Sequence, residues 1–416
     1  MAKLFASNGQ FRLYMMYQIF SGLGGGIFSI FMLLSVHMLY GNPMYTGIAG
    51  FLMIAPFIFS LAVGPIVDRN NKVRIMKATT FLEFGVLAML TFTPLLENLG
   101  APFMLSVIFI YSLAALFEAP SGTALLPHIV KEDEILQANS LIQIAGLIGG
   151  IGIAIILFSV MDDEMDLLFI FGISTMFLAG ALVFACFLRD PSTRKQSAEV
   201  PKHSYIADLV DGMKFMRGSV LMYLMVMLIV MRVVVEIASI NMPEFAEYHV
   251  GVQGYIIFSV VGMVGGILAS SVIGTIGNKF KIGYLLAFMM VLRGISRVAF
   301  VYILPEHYHA GLATLLLFTA LSSSIGILYS SLEQKLPPKS MVGRIDTLTT
   351  TCFSLMGALG ALLGGIVGRL VPNVDEIFIF QGYMYVVVGV LIILIPAVRR
   401  IPKMNDIERT DADELS

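Results

Sequence analysis

The sequence contains no tryptophan, only two cysteines and few charged residues, which make up 13% of its 416 positions. A soluble domain carries roughly 25% charged residues, so this chain could not cover a water-exposed surface with polar groups. The two cysteines, Cys186 and Cys352, both lie in apolar runs. This placement argues against a disulfide framework and against a cysteine metal site.

Three sequence motifs are also missing. No Asn-x-Ser/Thr glycosylation acceptor occurs, which favours a bacterial membrane over the secretory pathway. No G-x-x-x-x-G-K-[ST] loop occurs, so ATP-driven transport by this chain is not predicted. No cleavable signal is evident, because the N-terminal MAKLFASNGQFR is short and polar. We predict no cofactor, no metal and no nucleic-acid partner, with the proton as the candidate coupling ion.

Hydrophobic residues, by contrast, account for 57% of the sequence. Apolar runs of roughly 18 or more residues predict membrane-spanning helices, and such runs occur from end to end. The predicted fold class is an all-α membrane protein with twelve transmembrane helices in two six-helix pseudo-repeats. The predicted spans are 13–39, 45–67, 75–96, 102–119, 138–160, 167–188, 219–240, 253–275, 282–303, 310–330, 346–370 and 377–398.

Lys and Arg are confined to the loops on one side of this predicted bundle. An even number of spans places both termini on that side, and the opposite loops contain no Lys or Arg apart from Arg369 at a span end. Loops rich in Lys and Arg stay in the cytoplasm. We therefore predict a multi-pass, monomeric protein of a bacterial cell (inner) membrane, with cytoplasmic termini and with the lipid bilayer and a small-molecule substrate as its partners.

One long polar segment divides the chain into two similar halves. The predicted regions are an N-terminal six-helix bundle (1–188), a cytoplasmic linker with an amphipathic helix (189–218), a C-terminal six-helix bundle (219–398) and a cytoplasmic tail (399–416). GPIVDR at 64–69 has a counterpart 210 positions later in GTIGNK at 274–279, and Leu-Pro at 126–127 recurs at 336–337 with the same offset. Two parallel six-span repeats are typical of transporters whose halves rock about a central site.

The segment Gly64-x-x-x-Asp68-Arg69-x-x-Lys72-x-Arg74 resembles the signature loop of the major facilitator superfamily. PSGTALLPHIVKEDEILQANSL (120–141) and LEQKLPPKSMVGRIDTL (332–348) are similar to the drug and macrolide efflux branch, which has a Pro-led, Leu-Pro-containing loop, then Gln-Ala-Asn, and a Gly-Arg before span eleven. The resemblance covers essentially the whole chain. It implies the major facilitator fold, in which spans one, four, seven and ten line the cavity and three, six, nine and twelve are peripheral.

The resemblance also implies a cytoplasmic gate, in which Asp68 faces the start of span eleven and latches the outward-open state. In the alternative, Arg69, Lys72 and Arg74 are topology anchors only. Glu118, at the cytoplasmic end of span four, is expected to join Arg69 or Arg74. The predicted gate residues are Gly64, Asp68, Arg69, Lys72, Arg74, Glu118 and Arg344.

Few ionisable side chains lie deep in the spans, where each costs roughly 2.5–3.5 kcal/mol on insertion scales. Arg232 and Glu236 are four residues apart on span seven and can pair, so they are the first candidates for handling substrate or proton. A permanent neutralising ion pair is the alternative. Arg293 and Arg297 share one face of span nine and are expected to pair with acids on spans seven or eight, or to snorkel outward. Glu83 is expected at the periphery.

Uncharged polar residues in the spans complete the candidate site, although each alone is more often a helix-packing contact. The predicted substrate or proton residues are Arg232, Glu236, Tyr111, Gln18, Tyr17, Asn139, Gln143, Asn241, Arg293 and Arg297.

These features predict a secondary active transporter that works by rocker-switch alternating access and exports an amphipathic organic compound or drug by proton antiport. A carrier of an anionic, lysolipid or siderophore-like substrate is the alternative, with the three arginines supplying the attraction. A membrane receptor or enzyme is the alternative from another class. An enzyme would need clustered catalytic groups, and His307 and His309 lack companions in their loop.

Overall fold

The computed structural model describes residues 8–92, 100–131, 167–190 and 205–407, together with scattered positions between 134 and 153. Every regular element within these ranges is a helix. Nine of the described helices are long and apolar enough to cross a membrane. The predicted all-α membrane class is therefore confirmed.

The first set of helices begins at Gly9 and ends at Phe187. They are α1 (Gly9–Tyr40), α2 (Pro43–Ile54), α3 (Ser60–Arg69), α4 (Lys72–Phe92), α5 (Ala101–Ile129) and α6 (Leu167–Phe187). The side chain of Asn8 caps α1 by accepting a hydrogen bond from the backbone N–H of Phe11. Gly41 ends the helix in the left-handed conformation, with a φ of 56° that a side chain would disfavour.

The second set begins with a short helix that precedes the C-terminal spans. The helices are α7 (Tyr205–Met216), α8 (Val220–Ile240), α9 (Met242–Val250), α10 (Gln253–Lys279), α11 (Ile282–Ile303), α12 (Tyr308–Lys335), α13 (Lys339–Leu370), α14 (Val374–Leu394) and α15 (Pro396–Arg399). The side chain of Ser219 caps α8, the helix that carries the main candidate pair, by accepting from the backbone N–H of Met222.

Two further predicted spans, the second and the third, form helices that are too short or too polar to be included in the nine. The second is divided into α2 and α3 by a 3₁₀ turn at Ala55–Phe59 that contains Pro56, because proline cannot donate the hydrogen bond that would continue an α-helix. The third, α4, forms a helix of full spanning length, although Lys72, Arg74, Lys77 and Glu83 interrupt its apolar character. The predicted fifth span, 138–160, lies largely outside the described residues.

The fourth span is longer than its sequence indicates. The stretch after Pro120 was expected to be a loop, but α5 continues through Pro120 and Pro127 to Ile129. Next to the proline, Ser121 Oγ donates to the carbonyl O of Phe117 at 2.7 Å. Membrane helices tolerate proline more readily than helices in water, and the loop prediction is wrong here.

The chain divides into two compact units. The first unit contains residues 1–41 and 52–202, and the second contains residues 42–51 and 203–416. The start of α2 therefore packs with the second unit, where a Cβ placed on Gly47 would lie 2.6 Å from the Cα of Gly365. The absence of a side chain at both glycines permits this close approach.

The second unit also holds the linker helix and the described part of the C-terminal tail. Gly212 of α7 lies against the backbone of Arg344 at the start of α13. In the tail, the carbonyl O of Pro402 accepts from the backbone N–H of Ile282 at 3.1 Å. Lys335 Nζ donates to the carbonyl O of Met404 at 2.9 Å. These contacts attach polar segments of the chain to the ends of the second unit's spans.

Candidate functional site

Arg232 and Glu236 form an ion pair in α8, in the second unit. Arg232 Nη2 lies 2.5 Å from Glu236 Oε1, and the two side chains are 36% and 11% exposed. The pairing follows from the helix itself, because residues four apart lie on the same face. The predicted pairing is thus present, with a covered carboxylate and a guanidinium that stays partly accessible.

The glycine-rich face of α13 supports this pair. A Cβ on Gly357 would lie 3.0 Å from Arg232 Nε, and a Cβ on Gly360 would lie 2.9 Å from the Cβ of Glu236. Small residues allow membrane helices to approach closely, so these glycines give the two long side chains their space. A side chain at either position would push on the ion pair directly.

Arg293 and Arg297 lie in α11, surrounded by aromatic rings from neighbouring helices. Arg293 Cζ is 4.0 Å from the ring centroid of Tyr385 and 4.7 Å from that of Phe318. Arg297 Cζ is 4.6 Å from the centroid of Phe318 and 4.5 Å from that of Phe378. We call these five residues the arginine cage. Cation–π contacts of this kind stabilise a desolvated guanidinium by about 2 kcal/mol or more.

The cage compensates its two positive charges without a carboxylate among the described residues. Arg297 Nε donates to Gln381 Oε1 at 2.7 Å, while Arg297 Nη1 and Arg293 Nε have no hydrogen-bond partner there. The two residues are only 2% and 8% exposed, so neither snorkels outward. The expectation that they pair with acids on spans seven or eight is wrong, because aromatic faces and one amide take that place.

Tyr385 connects the cage to the ion pair. It is fully buried and lies within electrostatic range of Arg232, Glu236 and both cage arginines. Three guanidinium groups and one carboxylate thus lie within electrostatic range of its buried hydroxyl. These charges leave an excess of positive charge around that hydroxyl.

In the first unit a carboxylate is held by hydroxyl groups. Glu118 Oε1 accepts a hydrogen bond from Tyr17 Oη at 2.7 Å and another from Ser21 Oγ. Tyr17 Oη also lies 3.0 Å from Thr80 Oγ1, and Thr80 Oγ1 is 2.8 Å from the carbonyl O of Met76. We call the groups of Glu118, Tyr17, Thr80 and Met76 the hydroxyl chain. The described partners of Glu118 are therefore hydroxyl groups of span one, and not Arg69 or Arg74.

Glu83 lies one helical turn from Thr80 in α4. It is only 1% exposed, and neither carboxylate oxygen has a hydrogen-bond partner among the described residues. Glu118 is close enough to act on it electrostatically. Although the sequence suggested a peripheral place for Glu83, the residue is enclosed within the first unit beside a second carboxyl group.

The other predicted site residues have diverse surroundings. Tyr111 is buried, with its ring stacked on Phe28 at a centroid distance of 3.6 Å, and Gln18 is half-buried. Asn241 Nδ2 donates to the carbonyl O of Gly364 at 3.0 Å, which is a packing contact between α8 and α13. Asn139 and Gln143 lie outside the described residues.

Gly64 and Glu118 lie within α3 and α5, and the other predicted gate residues lie near the ends of helices. Arg69 and Arg74 are exposed, Gly64 has open space around it, and the side chain of Asp68 lies outside the described part of the chain. The backbone N–H of Lys72 donates to Asp190 Oδ2 at 2.8 Å. The proposed latch at Asp68 stays a prediction.

Sequence reasoning missed the residues that complete these two clusters, chiefly Thr80, Phe318, Gln381 and Tyr385. Thr80 precedes Glu83 by one turn, and Gln381 precedes Tyr385 by one turn, both in otherwise apolar helices. Polar residues repeated at helical spacing are the signal that could have found them. The ring of Phe318 carries no comparable signal.

Comparison with known proteins agrees with this architecture. The model of the family described as Major Facilitator Superfamily matches residues 14–361. Macrolide efflux protein A of Streptococcus pyogenes is 22% identical over 372 residues, which cover 87% of this chain and 89% of that protein. Its namesake from Enterococcus faecalis is 23% identical over 325 residues, 75% of this chain and 96% of the relative.

Solved structures show the same fold at low sequence identity. The nucleoside transporter NupG matches with a TM-score of 0.72 and 15% identity, covering 93% of this chain and 99% of the other. A D-xylose-proton symporter matches with a TM-score of 0.66 and 14% identity, covering 95% and 98%.

Proposed function

This chain belongs to the Major Facilitator Superfamily, and from that premise we propose that it exports an amphipathic organic compound in exchange for protons. Export would proceed by alternating access, in which a central site opens to one side of the membrane at a time. A bacterial cell membrane with both termini in the cytoplasm is part of the proposal, supported by the distribution of Lys and Arg.

The Arg232–Glu236 pair is the observation that carries this proposal. Placing an ion pair inside a membrane helix costs free energy, and removing one partner leaves the other charge uncompensated. Arg232 is 36% exposed, so a ligand can reach the guanidinium without unpacking the helix. A substrate with a charged group can replace one member of the pair, whereas an uncharged solute cannot.

The relatives support an organic substrate of macrolide type. Two of them are named macrolide efflux protein A, and macrolides combine a large apolar ring with polar substituents. The pair lies in α8, whose other residues are almost all apolar, so a molecule of mixed character suits it. We propose this class of substrate, and not a particular compound.

Transport by the purified protein in proteoliposomes tests the proposal. A labelled macrolide, a cationic dye and an anionic amphiphile are each supplied with and without an imposed pH gradient. We expect flux of the macrolide or of the dye that increases with the gradient. Flux that ignores the gradient would exclude proton antiport, and absence of flux for all three probes would contradict the proposed substrate class.

Glu236→Gln tests the role of the pair, since it keeps the side-chain shape and removes the charge. We expect transport of the charged probes to be lost or their KM to rise. The matched control is Glu306→Gln, because Glu306 is exposed in a connection between helices and should leave transport unchanged. Equal behaviour of the two variants would show that the pair is structural only.

A carrier of anions is the second candidate, favoured by the arginine cage. Arg293 and Arg297 have no described carboxylate partner, so together with the partly exposed Arg232 they leave an excess of positive charge in this part of the second unit, which attracts an anionic group. The anionic amphiphile in the same assay distinguishes the two functions. Uptake of that probe alone would favour the anion carrier.

The cytoplasmic gate completes the proposal, with Asp68 latching the outward-open state. Asp68→Asn is expected to bias the protein toward the inward-open state, because the amide cannot complement the positive end of a helix. Cysteine probes at cytoplasmic cavity positions should then react faster. Unchanged reactivity would leave Arg69, Lys72 and Arg74 as topology anchors only.

A further inference from the structure

We propose that the exchangeable proton is bound in the first unit, by Glu118 at the end of the hydroxyl chain, with Glu83 as a second carboxyl group that stays protonated. This inference rests on the proposed antiport and deepens it by naming the proton site. It moves the proton away from Glu236, which the sequence had suggested. The geometry of three hydroxyl contacts carries the argument.

Glu83 has the surroundings of a neutral carboxylic acid. An ionised carboxylate buried without a partner is so costly that the group takes up a proton instead. Glu83 is 1% exposed, and neither oxygen accepts a hydrogen bond in the described part of the chain. The nearby Glu118 makes a second negative charge more costly still. Glu83 therefore holds a proton whichever state Glu118 adopts.

Glu118 differs because it is partly exposed and already has donors. Tyr17 and Ser21 both donate to Oε1, which stabilises the ionised form. Exposure gives protons a route to this carboxyl group that Glu83 lacks. Of the two acids, Glu118 is thus the one that can exchange a proton with its surroundings.

The hydroxyl chain can satisfy Glu118 in both protonation states. When Glu118 is ionised, Thr80 donates to Tyr17 and Tyr17 donates to Glu118. When a proton binds, a new O–H bond forms on Glu118 and donates to Tyr17 Oη, Tyr17 donates to Thr80, and Thr80 donates to the carbonyl O of Met76. The observed distances of 2.7 Å and 3.0 Å for the two contacts of Tyr17 suit either direction, and the 2.8 Å contact suits donation from Thr80 to the Met76 carbonyl, which can only accept.

Reversal of the chain needs no other proton donor or acceptor. A hydroxyl group both donates and accepts, so the Tyr17 hydroxyl has one donor and one acceptor role in either direction. The Thr80 hydroxyl donates to Tyr17 in the first arrangement and to the carbonyl O of Met76 in the second. Release of the proton from Glu118 restores the first arrangement, and no electrons are transferred. The two contacts of Tyr17 therefore persist in the loaded and the empty proton site.

No cation in the described part of the first unit neutralises either acid. The titratable groups that face them are Tyr14 and Tyr17 from α1 and Tyr111 from α5. On α4, Lys77 Nζ donates to the carbonyl O of Cys186 on α6, and Arg69 at the end of α3 is exposed. Tyrosine hydroxyls cannot replace a positive charge, so protonation is the means by which this cluster loses its negative charge.

Infrared difference spectroscopy of the purified protein tests the site without any substrate. The carbonyl stretch of a protonated carboxyl group reports each acid as the pH is changed. We expect a band that persists at neutral pH and is lost in Glu83→Gln, and a band that titrates and is lost in Glu118→Gln. Persistence of both bands in the two variants would overturn the proposal.

Tyr17→Phe tests the hydroxyl chain, with Tyr302→Phe as its matched control because Tyr302 is 63% exposed. The phenyl ring keeps the packing and removes the link between Thr80 and Glu118. We expect the titrating band of Glu118 to shift in frequency and in midpoint only in Tyr17→Phe. A spectrum identical to that of the control would overturn the role of the chain.

Proteoliposomes separate this proposal from the proposed function. With a macrolide or cationic dye as probe, Glu118→Gln is expected to lose gradient-driven transport but to retain exchange of probe across the membrane without a gradient. Wild-type antiport that persists unchanged in Glu118→Gln would overturn the proton site and leave the function standing. If both infrared bands behave as expected but the pH gradient drives no flux of the probe, the proton site is supported and antiport is contradicted.

Discussion

In the first unit, Glu83 and Glu118 lie beside hydroxyl groups, whereas in the second unit Arg293 and Arg297 lie beside aromatic rings. Both sets of side chains are ionisable groups within a membrane protein, but they differ in how they can lose their charge. A carboxylate can bind a proton, while a guanidinium stays charged under all ordinary conditions. The protein must therefore compensate the arginines permanently, which rings and one amide do.

The contrast separates an exchangeable charge from a fixed one. The partners of Glu118 can turn their hydrogen bonds around, but the ring faces around Arg293 and Arg297 attract only a cation. The pair Arg232–Glu236 differs from both, because each of its two charges is compensated by the other. The following predictions test this division, beginning with the substitution that is expected to reduce stability most.

Arg232→Leu should have the largest effect on stability. It leaves Glu236, which is 11% exposed, without its cation, and breaking a buried pair costs roughly 3–5 kcal/mol. We expect a large fall in the melting temperature of the purified protein. The double variant Arg232→Leu/Glu236→Leu should recover most of the loss, because it removes both charges. A double variant as unstable as the single one would refute mutual compensation.

Gln381→Leu should have the next largest effect, because it removes the hydrogen bond from Arg297 Nε. Hydrogen bonds to charged groups contribute about 1.5–3 kcal/mol, and no solvent reaches the guanidinium to replace this one. Gln381→Glu keeps an acceptor at the same place and should be much closer to the wild type. Thermal melting of the two variants checks this, and equal losses would mean that position 381 matters only for packing.

Tyr385→Leu should come next, at about 2 kcal/mol, through the lost cation–π contact with the buried Arg293. Tyr385→Phe retains the ring and should retain most of the stability. If the phenylalanine variant is as unstable as the leucine variant, the hydroxyl group matters and the ring face does not. Melting temperatures measured in one detergent decide between these outcomes.

The fold could be predicted from the sequence to a large extent. Long apolar runs at regular spacing form membrane-spanning helices in a bilayer, and the signature at 64–74 identified the family. The end of the fourth span could not be predicted, because a proline such as Pro120 normally ends a helix in water, whereas membrane helices tolerate proline more readily.

The sites were predictable only where the contact is local. Arg232 and Glu236 are four residues apart, so helix geometry alone pairs them. The rings that surround Arg293 come from α12 and α14. Nothing distinguishes Phe318 among the 30 phenylalanines of the chain, and only the spacing from Gln381 distinguishes Tyr385. Likewise, the partners of Glu118 come from a helix distant in sequence, so the resemblance, which suggested Arg69 or Arg74, gave the wrong neighbours.

The smallest effect is expected for Glu83→Gln, and this prediction tests the division between the units most directly. If Glu83 is already neutral, an amide of the same shape replaces one uncharged group by another, and stability should change by less than about 1 kcal/mol. Glu236→Gln should cost more, because Arg232 loses a charged partner. Melting of the two variants side by side measures the difference. A larger loss for Glu83→Gln would mean that Glu83 is ionised and paired, so that the first unit would hold a fixed charge as the second does.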